Sequence, residues 1–494
     1  METPVSKAKA AQSIEDFRNS SFEGRYDSFL TTLKDVSSLP SQRLQAQYEE
    51  QWDLRKNFII NEETPVVVPP FEQNSESMID ELPTLTPFIQ RLKFFKPGIV
   101  ENARQKWGNF EGSGAPKYIE SIEDAPCEEL CYMVGVVYTD QPLKSETLDS
   151  FIKEHWVVAP PPRNINSEVA NIFLEDESGQ VELTGNTLKG VTLISGVVIG
   201  VLGIQNNPGE IEILDLCFPK CVAQEALEIH QSQEPKYVAL ISGLNIGEDK
   251  ASSLSLELLK DHLCGQLGSI QEQNFSSHIV RVIFVGNSLA KLQREEVENK
   301  AKTKIQGQSI FDGKPVKELD MFLEEICESL TVDLMPGAHD PANAILPQQP
   351  MHFAFFERAQ RFFTFNSVTN PHCFKLDGVT FLGNSGQILD SLLQLSNIHH
   401  RLQIAVQTMK WRLMDPTEIP PENSASDPFI IRDCPHVYFF GNQPQFETTL
   451  IHGSEGQVTR LVLLPAFSET HTIVLVNLNT LECHPIKFEH WLED

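Results

Sequence analysis

Positive charge is scarce in this sequence: 39 Lys and Arg stand against 68 Asp and Glu, a formal net charge of −29 over 494 residues. A protein that coats nucleic acid by itself needs basic side chains facing the phosphates, so the composition argues against that class. A locally basic face, or a partner that supplies one, remains open. No C-x-x-C occurs among the nine cysteines. The two C-x-x-x-C pairs, Cys127/Cys131 and Cys217/Cys221, have no histidine placed to complete a four-ligand zinc site. They read as core or surface thiols. The N-terminus, Met1 to Ala11, is polar and offers no apolar signal region. The longest apolar run, Val191 to Ile204, is broken by Gly196, Gly200 and Gly203. It falls short of the about 20 residues that span a bilayer. These absences point to a reduced intracellular compartment and no membrane span.

What is present suits a folded chain. The 40% hydrophobic and 22% charged fractions exclude wholesale disorder. By length, roughly three domains are expected. Residues 1–35 read as a mobile tail, with at most a frayed helix from Ser20 to Leu33. Residues 36–125 read as a helical arm that packs on the core, interrupted by Pro65, Pro69 and Pro70. Within it, Phe88 to Pro97 and Ile99 to Trp107 predict two amphipathic segments kinked at Pro97. Gln90 to Phe95 has its aromatic pair at the wrong spacing for a sliding-clamp peptide, and Phe94 and Phe95 read as core.

Residues 126–230 have β grammar. Cys131 to Tyr138 is a strand run, and a helix is expected from Glu146 to His155, ending near Pro160-Pro161-Pro162. Ile172 to Gly185 reads as a hairpin turning at Asp176, Ser178 and Gly179, and strands follow at Val197–Gly203 and Ile211–Leu216. Five short strands with one early helix suggest a small closed barrel of OB-fold type. Few Lys, Arg or exposed aromatics line it, so a structural or protein-binding role is expected over single-strand binding.

From Pro235 the grammar becomes strand, loop, helix. Tyr237–Leu244 and Val280–Asn287 are buried strands, with helices expected at Leu254–Leu267 and Val316–Leu330 before a third strand at Val332–Met335. Continuous apolar strands alternating with helices predict parallel pairing covered on both faces. The chain returns to β between Asp427 and Phe488. In such sheets chemistry sits at the carboxyl ends of the strands. Those ends have the layout of a two-metal phosphoesterase, which clamps a phosphoryl group between two ions about 3.5–4 Å apart. Such a site needs carboxylates and imidazoles in Asp-x-His, Gly-Asp, Gly-Asn-His-Asp and Gly-His-x-His runs. This sequence keeps the frame without the ligands. Gly243 and Asn245 stand for Asp and His, Asn287 for the bridging Asp, and Ala338 for Asn. His339 and Asp340 persist, free to form a hydrogen-bonded pair or to bind one stray ion weakly. Asn442 and Pro444 replace both late histidines. No catalytic residue, metal or cofactor is expected here.

Several segments carry a resemblance: Phe173-Leu174-Glu175-Asp176-Glu177, Leu240 to Leu244, Arg281 to Asn287, Met335-Pro336-Gly337 with Asp340 to Asn343, Leu346-Pro347-Gln348-Gln349-Pro350, Thr369-Asn370-Pro371, Leu382 to Gln387, and Cys434 to Asn442. From Phe88 onward the chain resembles the B-subunit family of the replicative DNA polymerases, its delta branch above all. The resemblance implies an α+β fold, an OB-fold β-barrel (126–230) packed on an inactivated calcineurin-like phosphoesterase domain (231–494) whose two-sheet core is flanked by helices. It implies a non-catalytic scaffold that binds the cysteine-rich C-terminal domain of the polymerase catalytic subunit. In the delta branch it also binds a third subunit, which reaches the sliding clamp. Contact with DNA would come mainly through the complex, in the nucleus, during replication and repair. Archaeal relatives keep the ligands and have nuclease activity. This chain departs from them at the positions above and at Leu413, where relatives often have His. Competing readings are a working metallophosphoesterase using His339 and Asp340, and a B-subunit of another replicative polymerase.

Overall fold

The computed structural model describes residues 48–49, 88–108, 116–140, 171–227, 234–248, 253–291, 313–417 and 427–488. The expected tail (1–35), its frayed helix, most of the arm (36–125), the helix at Glu146–His155 and the turn at Pro160–Pro162 lie outside them.

Strand β1 (Tyr48–Glu49) is followed by helix α1 (Ile89–Trp107), which is continuous through Pro97 where two segments were expected. The proline removes one intrahelical hydrogen bond, a cost of about 3 kcal/mol. Burial on both sides offsets it: Leu92 and Phe95 precede Pro97, and Ile99, Val100, Ala103 and Trp107 follow it on the same stripe. Each large apolar side chain so buried contributes roughly 1.5–3 kcal/mol. Phe95 is core, but Phe94 is 40% exposed. Successive helical residues point about 100° apart, so the two cannot share one face.

Strands β2 (Lys117–Tyr118), β3 (Leu130–Asp140), β4 (Asn171–Glu175), β5 (Gln180–Thr184), β6 (Val198–Asn207) and β7 (Glu210–Cys217) form a sheet in the order β2-β3-β4-β5-β7-β6. Because β3 also pairs with β6, the pairings from β3 through β4, β5, β7 and β6 return to β3. The β4–β5 hairpin turns where the sequence places it. Asp176 Oδ1 accepts from the Ser178 and Gly179 N–H groups at 2.8 and 3.1 Å, and Oδ2 accepts from Ile122 N at 2.9 Å. Helix α1 lies against β3 and β6, where a Cβ on Gly200 would come within 2.9 Å of Ile99.

The second half is built on two further sheets. The first takes β8 (Tyr237–Ile241), β9 (Ile279–Val285), β10 (Thr331–Met335) and β11 (Phe365–Ser367), all parallel. Helices α2 (Ser253–Leu263), α3 (Ile270–Ser277) and α4 (Lys314–Cys327) accompany them. The helix expected at Leu254–Leu267 is α2, which ends at Leu263, and α3 is a further helix beyond it. Gly265 and Gly268 take φ of +70° and +84° between them, and Ser269 with Glu272 forms a capping box that starts α3. The other sheet takes β12 (His372–Leu376), β13 (Val379–Asn384), β14 (Val437–Gln443), β15 (Glu447–His452) and β16 (Val458–Pro465), with α5 (Gln387–Leu395) and α6 (Arg401–Trp411) between β13 and β14. Its order is β1-β12-β13-β14-β16-β15. Finally β17 (Thr472–Asn477) and β18 (Cys483–Lys487) return to the first sheet, giving β11-β10-β9-β8-β17-β18.

Val238, Leu240, Ile283 and Val285 meet Phe374, Phe381, Phe439, Val462 and Leu464 in one apolar cluster between these sheets. The alternate residues Ala239, Ile241, Val282 and Phe284 pack with Leu259, Leu319 and Leu323 of the covering helices. Burial on both faces is why β8 and β9 read as near-continuous apolar runs, with Arg281 the exception in β9. On the far side, α1, α5, α6 and the interior of the β2–β7 sheet share a third cluster. No helix among the described residues is long and apolar enough to cross a membrane.

Candidate functional site

The loops after β8, β9, β10 and β14 converge, and amide side chains hold them together. After β8, Gly243 turns with φ +64°; a Cβ there would lie 2.7 Å from Asn442 Oδ1 and 2.9 Å from Ala466 Cβ. This position therefore demands glycine on conformational and steric grounds. The loop lies along the next one: Gly243 N donates to Gly286 O at 3.0 Å, Asn245 N to Asn287 O at 3.0 Å, and Ile246 N to Ser288 O at 2.9 Å. Asn245 Nδ2 donates to Ser468 Oγ at 2.8 Å.

After β9, Asn287 takes φ +53° and its Oδ1 accepts from His339 N at 3.2 Å. Gly337 can approach only because it lacks a Cβ, which would fall 2.4 Å from Asn287 N. After β10, the buried Asp340 carboxylate accepts from Gly337 N at 2.8 Å and Ser288 N at 3.3 Å through Oδ2, and from Leu289 N at 2.9 Å through Oδ1. Burial pushes this carboxyl up to about 6, against the pull of those N–H donors. His339 is half-buried, burial lowers its pKa, and its Nδ1 has no hydrogen-bond partner. The two residues are neighbours without forming the side-chain pair that the sequence allows, because backbone donors already occupy the carboxylate. Ala338 is exposed.

After β14, Asn442 takes φ +53°; its N donates to Ser242 Oγ at 3.0 Å, and its Nδ2 to Ser385 O at 2.8 Å and Val285 O at 3.2 Å. Pro444 is exposed just beyond. Seven of the nine positions singled out from the sequence, Gly243, Asn245, Asn287, Ala338, His339, Asp340 and Asn442, thus lie on the converging loops, with Pro444 at their margin. Leu413 does not join them. It is buried beside Trp411 and Met414, bridged to Ile430, in the segment whose Pro416 O accepts from Arg91 of α1.

A second tier of amides, to which the sequence motifs assign no role, supports the loops. Asn370 Nδ2 donates to Gln348 Oε1 at 2.8 Å and Ser385 Oγ at 2.7 Å, and its Oδ1 accepts from Ser385 N at 3.1 Å. Gln348 Nε2 donates to Gly337 O at 3.0 Å. These residues stand in the Leu-Pro-Gln-Gln-Pro and Thr-Asn-Pro segments, so polar side chains inside otherwise apolar motifs were the available signal.

The donor set does not fit a pair of divalent ions, which need several hard, charged ligands. Here one carboxylate is committed to three N–H groups and the other oxygens belong to neutral amides. Among the described residues no group of three or more His, Cys, Asp or Glu is arranged to hold an ion.

Two protein families match this architecture. Residues 238–448 match the B-subunit family of DNA polymerases alpha and epsilon, and residues 87–216 match the DNA polymerase delta subunit OB-fold domain. Together they define the class as a polymerase B-type subunit carrying an OB-fold domain. The DNA polymerase delta small subunit of Arabidopsis thaliana is 40% identical over 72% of this chain and 82% of its own length. The Oryza sativa protein of the same name is 38% identical over 72% and 83%. DNA polymerase delta subunit 2 of Drosophila melanogaster is 34% identical over 78% and 88%. The chain belongs to the DNA polymerase delta small-subunit family.

Proposed function

We propose that this chain is a non-catalytic scaffold subunit of DNA polymerase delta, acting in replication and repair synthesis in the nucleus. It bridges the cysteine-rich C-terminal domain of the catalytic subunit to a third, clamp-binding subunit, and reaches the sliding clamp and DNA through the complex. Its working parts are an OB-fold barrel (126–230) and a calcineurin-like phosphoesterase fold (231–494) without metal ligands, preceded by a tail (1–35) and an arm (36–125). The closed circuit of pairings from β3 back to β3 supports the barrel.

The observation that carries the non-catalytic reading is the chemistry of the four loop ends. The Nδ2 groups of Asn245 and Asn442 donate to neighbouring hydroxyl and backbone oxygens, Asn287 Oδ1 accepts from His339 N, and Asp340 is spent on backbone N–H groups, which leaves neutral amide oxygens at Asn245 and Asn442 in place of charged ligands. The test is affinity capture of the intact chain from nuclear extract, with partner identification and metal analysis on the same sample. Recovery of a large polymerase chain is expected, with any metal remaining in that partner's cysteine-rich, metal-binding domain when the two are separated; a partnerless monomer would overturn the scaffold reading. Manganese-dependent phosphodiester hydrolysis that disappears in His339→Ala would establish the phosphoesterase reading instead.

A further inference from the structure

Residues 218–227 follow β7, and the segment entering β14 lies against them. Cys221 is in the first and Cys434 in the second, with 3.7 Å between their sulfur atoms. The sequence pairs Cys221 with Cys217, four residues away; the structure pairs it across 213 residues of chain. Cys217 Sγ instead donates to Phe218 O at 3.7 Å.

The proximity is built in. Gln224 Nε2 donates to Pro435 O at 3.1 Å and Val458 O at 2.8 Å, while its Oε1 accepts from Val458 N at 2.8 Å. Gln457 Nε2 donates to Val222 O at 3.0 Å. These bonds bracket Cys221 on one side and Cys434 on the other, so both backbones are fixed where the thiols meet. A disulfide needs sulfurs about 2.05 Å apart.

The two thiols are unequal. Cys221 is half-buried and Cys434 is buried. The sulfur–sulfur contact with Cys434, with the Arg412 guanidinium beside it, pushes Cys221 down to about 7. The same contact, with burial, pushes Cys434 up, so it keeps its proton. Arg412 is held there by its own bonds, Nη1 to Lys220 O and Nη2 to Ile431 O. The accessible sulfur therefore carries the anionic character that makes a thiol nucleophilic, and the inaccessible one stands behind it as a resolving group.

We propose that Cys221 and Cys434 are a hydroperoxide-reactive thiol pair that closes into a disulfide between the segment after β7 and the segment entering β14. The Cys221 thiolate attacks one peroxide oxygen of hydrogen peroxide; the S–O bond forms, the O–O bond breaks, and hydroxide leaves to take up a proton as water. Cys221 is then a sulfenic acid. Cys434 loses its proton and attacks that sulfur; the S–S bond forms, the S–O bond breaks, and a second water departs. Two thiols are oxidised by two electrons and one peroxide is reduced to two waters. The product ties residues 218–227 covalently to the entry of β14.

The test uses the full-length chain. It is treated with hydrogen peroxide at neutral pH, capped with iodoacetamide, and mapped by mass spectrometry without reduction. The expected result is one cross-linked peptide pair containing Cys221 and Cys434, lost on adding dithiothreitol. In Cys434→Ser, dimedone should capture a persistent sulfenic acid at Cys221; in Cys221→Ser, Cys434 should stay alkylatable after unfolding. Recovery of both cysteines as alkylated peptides from the peroxide-treated wild type would overturn the proposal. So would a disulfide joining Cys221 to a different cysteine. Should either variant fail to fold, the wild-type map decides alone.

Discussion

Arg91 reaches from α1 into the second half of the molecule, and removing it tests whether the two halves are held by one buried charge pair. Its Nε lies 2.5 Å from Asp427 Oδ2, and Nη1 donates to Pro416 O at 2.7 Å. The guanidinium carbon sits 5.4 Å from the Phe88 ring and 5.9 Å from the Phe429 ring. Relative exposure of the two charged side chains is 0% and 2%. At that burial solvent screens little, and removing one partner leaves the other charge uncompensated, at about 3–5 kcal/mol. Arg91→Met keeps the apolar bulk between the rings and strands the Asp427 carboxylate. Against a typical total of about 5–15 kcal/mol, that loss is severe. Asp427→Asn should also destabilise, because it removes the carboxylate facing the guanidinium, although Asn can keep the Oδ1 contact that accepts from Phe429 N at 2.9 Å. The double variant removes both charges and should recover most of the loss. The measurement is a urea titration of each full-length chain, followed by tryptophan fluorescence and combined as a double-mutant cycle. A loss below about 1 kcal/mol in either single variant would refute the argument. So would a double variant as unstable as the sum of the singles.

Gly243→Ala should lower stability by about 1–3 kcal/mol: the left-handed backbone and the contacts at 2.7 and 2.9 Å cost more than the unfolded-state entropy gain returns. An unchanged or raised urea midpoint would contradict this. His436 is buried, its Nδ1 accepts from Thr380 N at 2.9 Å, and its Nε2 lies 2.9 Å from Glu225 O. Burial depresses its pKa, so the fold binds fewer protons here than the unfolded chain. Its contribution is present above the unfolded value of about 6.5 and lost as pH falls below it. The stability gap between wild type and His436→Asn should therefore narrow between neutral and mildly acid pH; a constant gap would remove His436 as the cause. Iodoacetamide should alkylate Cys221 in the native chain with a pH midpoint about 7. A midpoint shifted upward on mutating Arg412→Leu would confirm the guanidinium as one source, and an unmoved midpoint would exclude it.

Strands β8, β9 and β10 were legible because burial on both faces leaves near-continuous apolar runs, interrupted inside β9 by Arg281 and inside β10 by Asp333, which pair with each other. Strand β12 was not, although His372 to Leu376 alternates between buried and half-buried positions. Its five residues include His, Cys and Lys, and the partners that make it a strand lie in β13 and β1. The passage of α1 through Pro97 was decided by tertiary packing against β3 and β6, which local propensity cannot weigh. At the candidate site, Gly and Asn at strand ends announced the loops, since tight turns with positive φ favour those residues. The second tier of amides could not be read, because Asn370 meets Gln348 across 22 residues and Ser385 across 15. The His339–Asp340 side-chain pair that the sequence left open does not form, for a related reason. A sequence shows that two side chains are adjacent, but not that three backbone N–H groups have already claimed one of them.

The amides at the loop ends also explain how these loops hold together by direct contact. Carboxylates crowded at the same strand ends would repel one another without ions between them, by about 4 kcal/mol per pair at 4 Å and an effective dielectric constant of 20. A primary amide is the isosteric replacement that removes this repulsion and gains a donor. Asn442 uses that donor on Val285 O and Ser385 O, atoms a carboxylate could only repel. Asn287 keeps the acceptor half, taking the N–H of His339. The loops after β8, β9, β10 and β14 are thereby joined by hydrogen bonds that require no bound ion. A carboxylate in place of the Asn442 amide, Asn442→Asp, would turn both of its contacts repulsive.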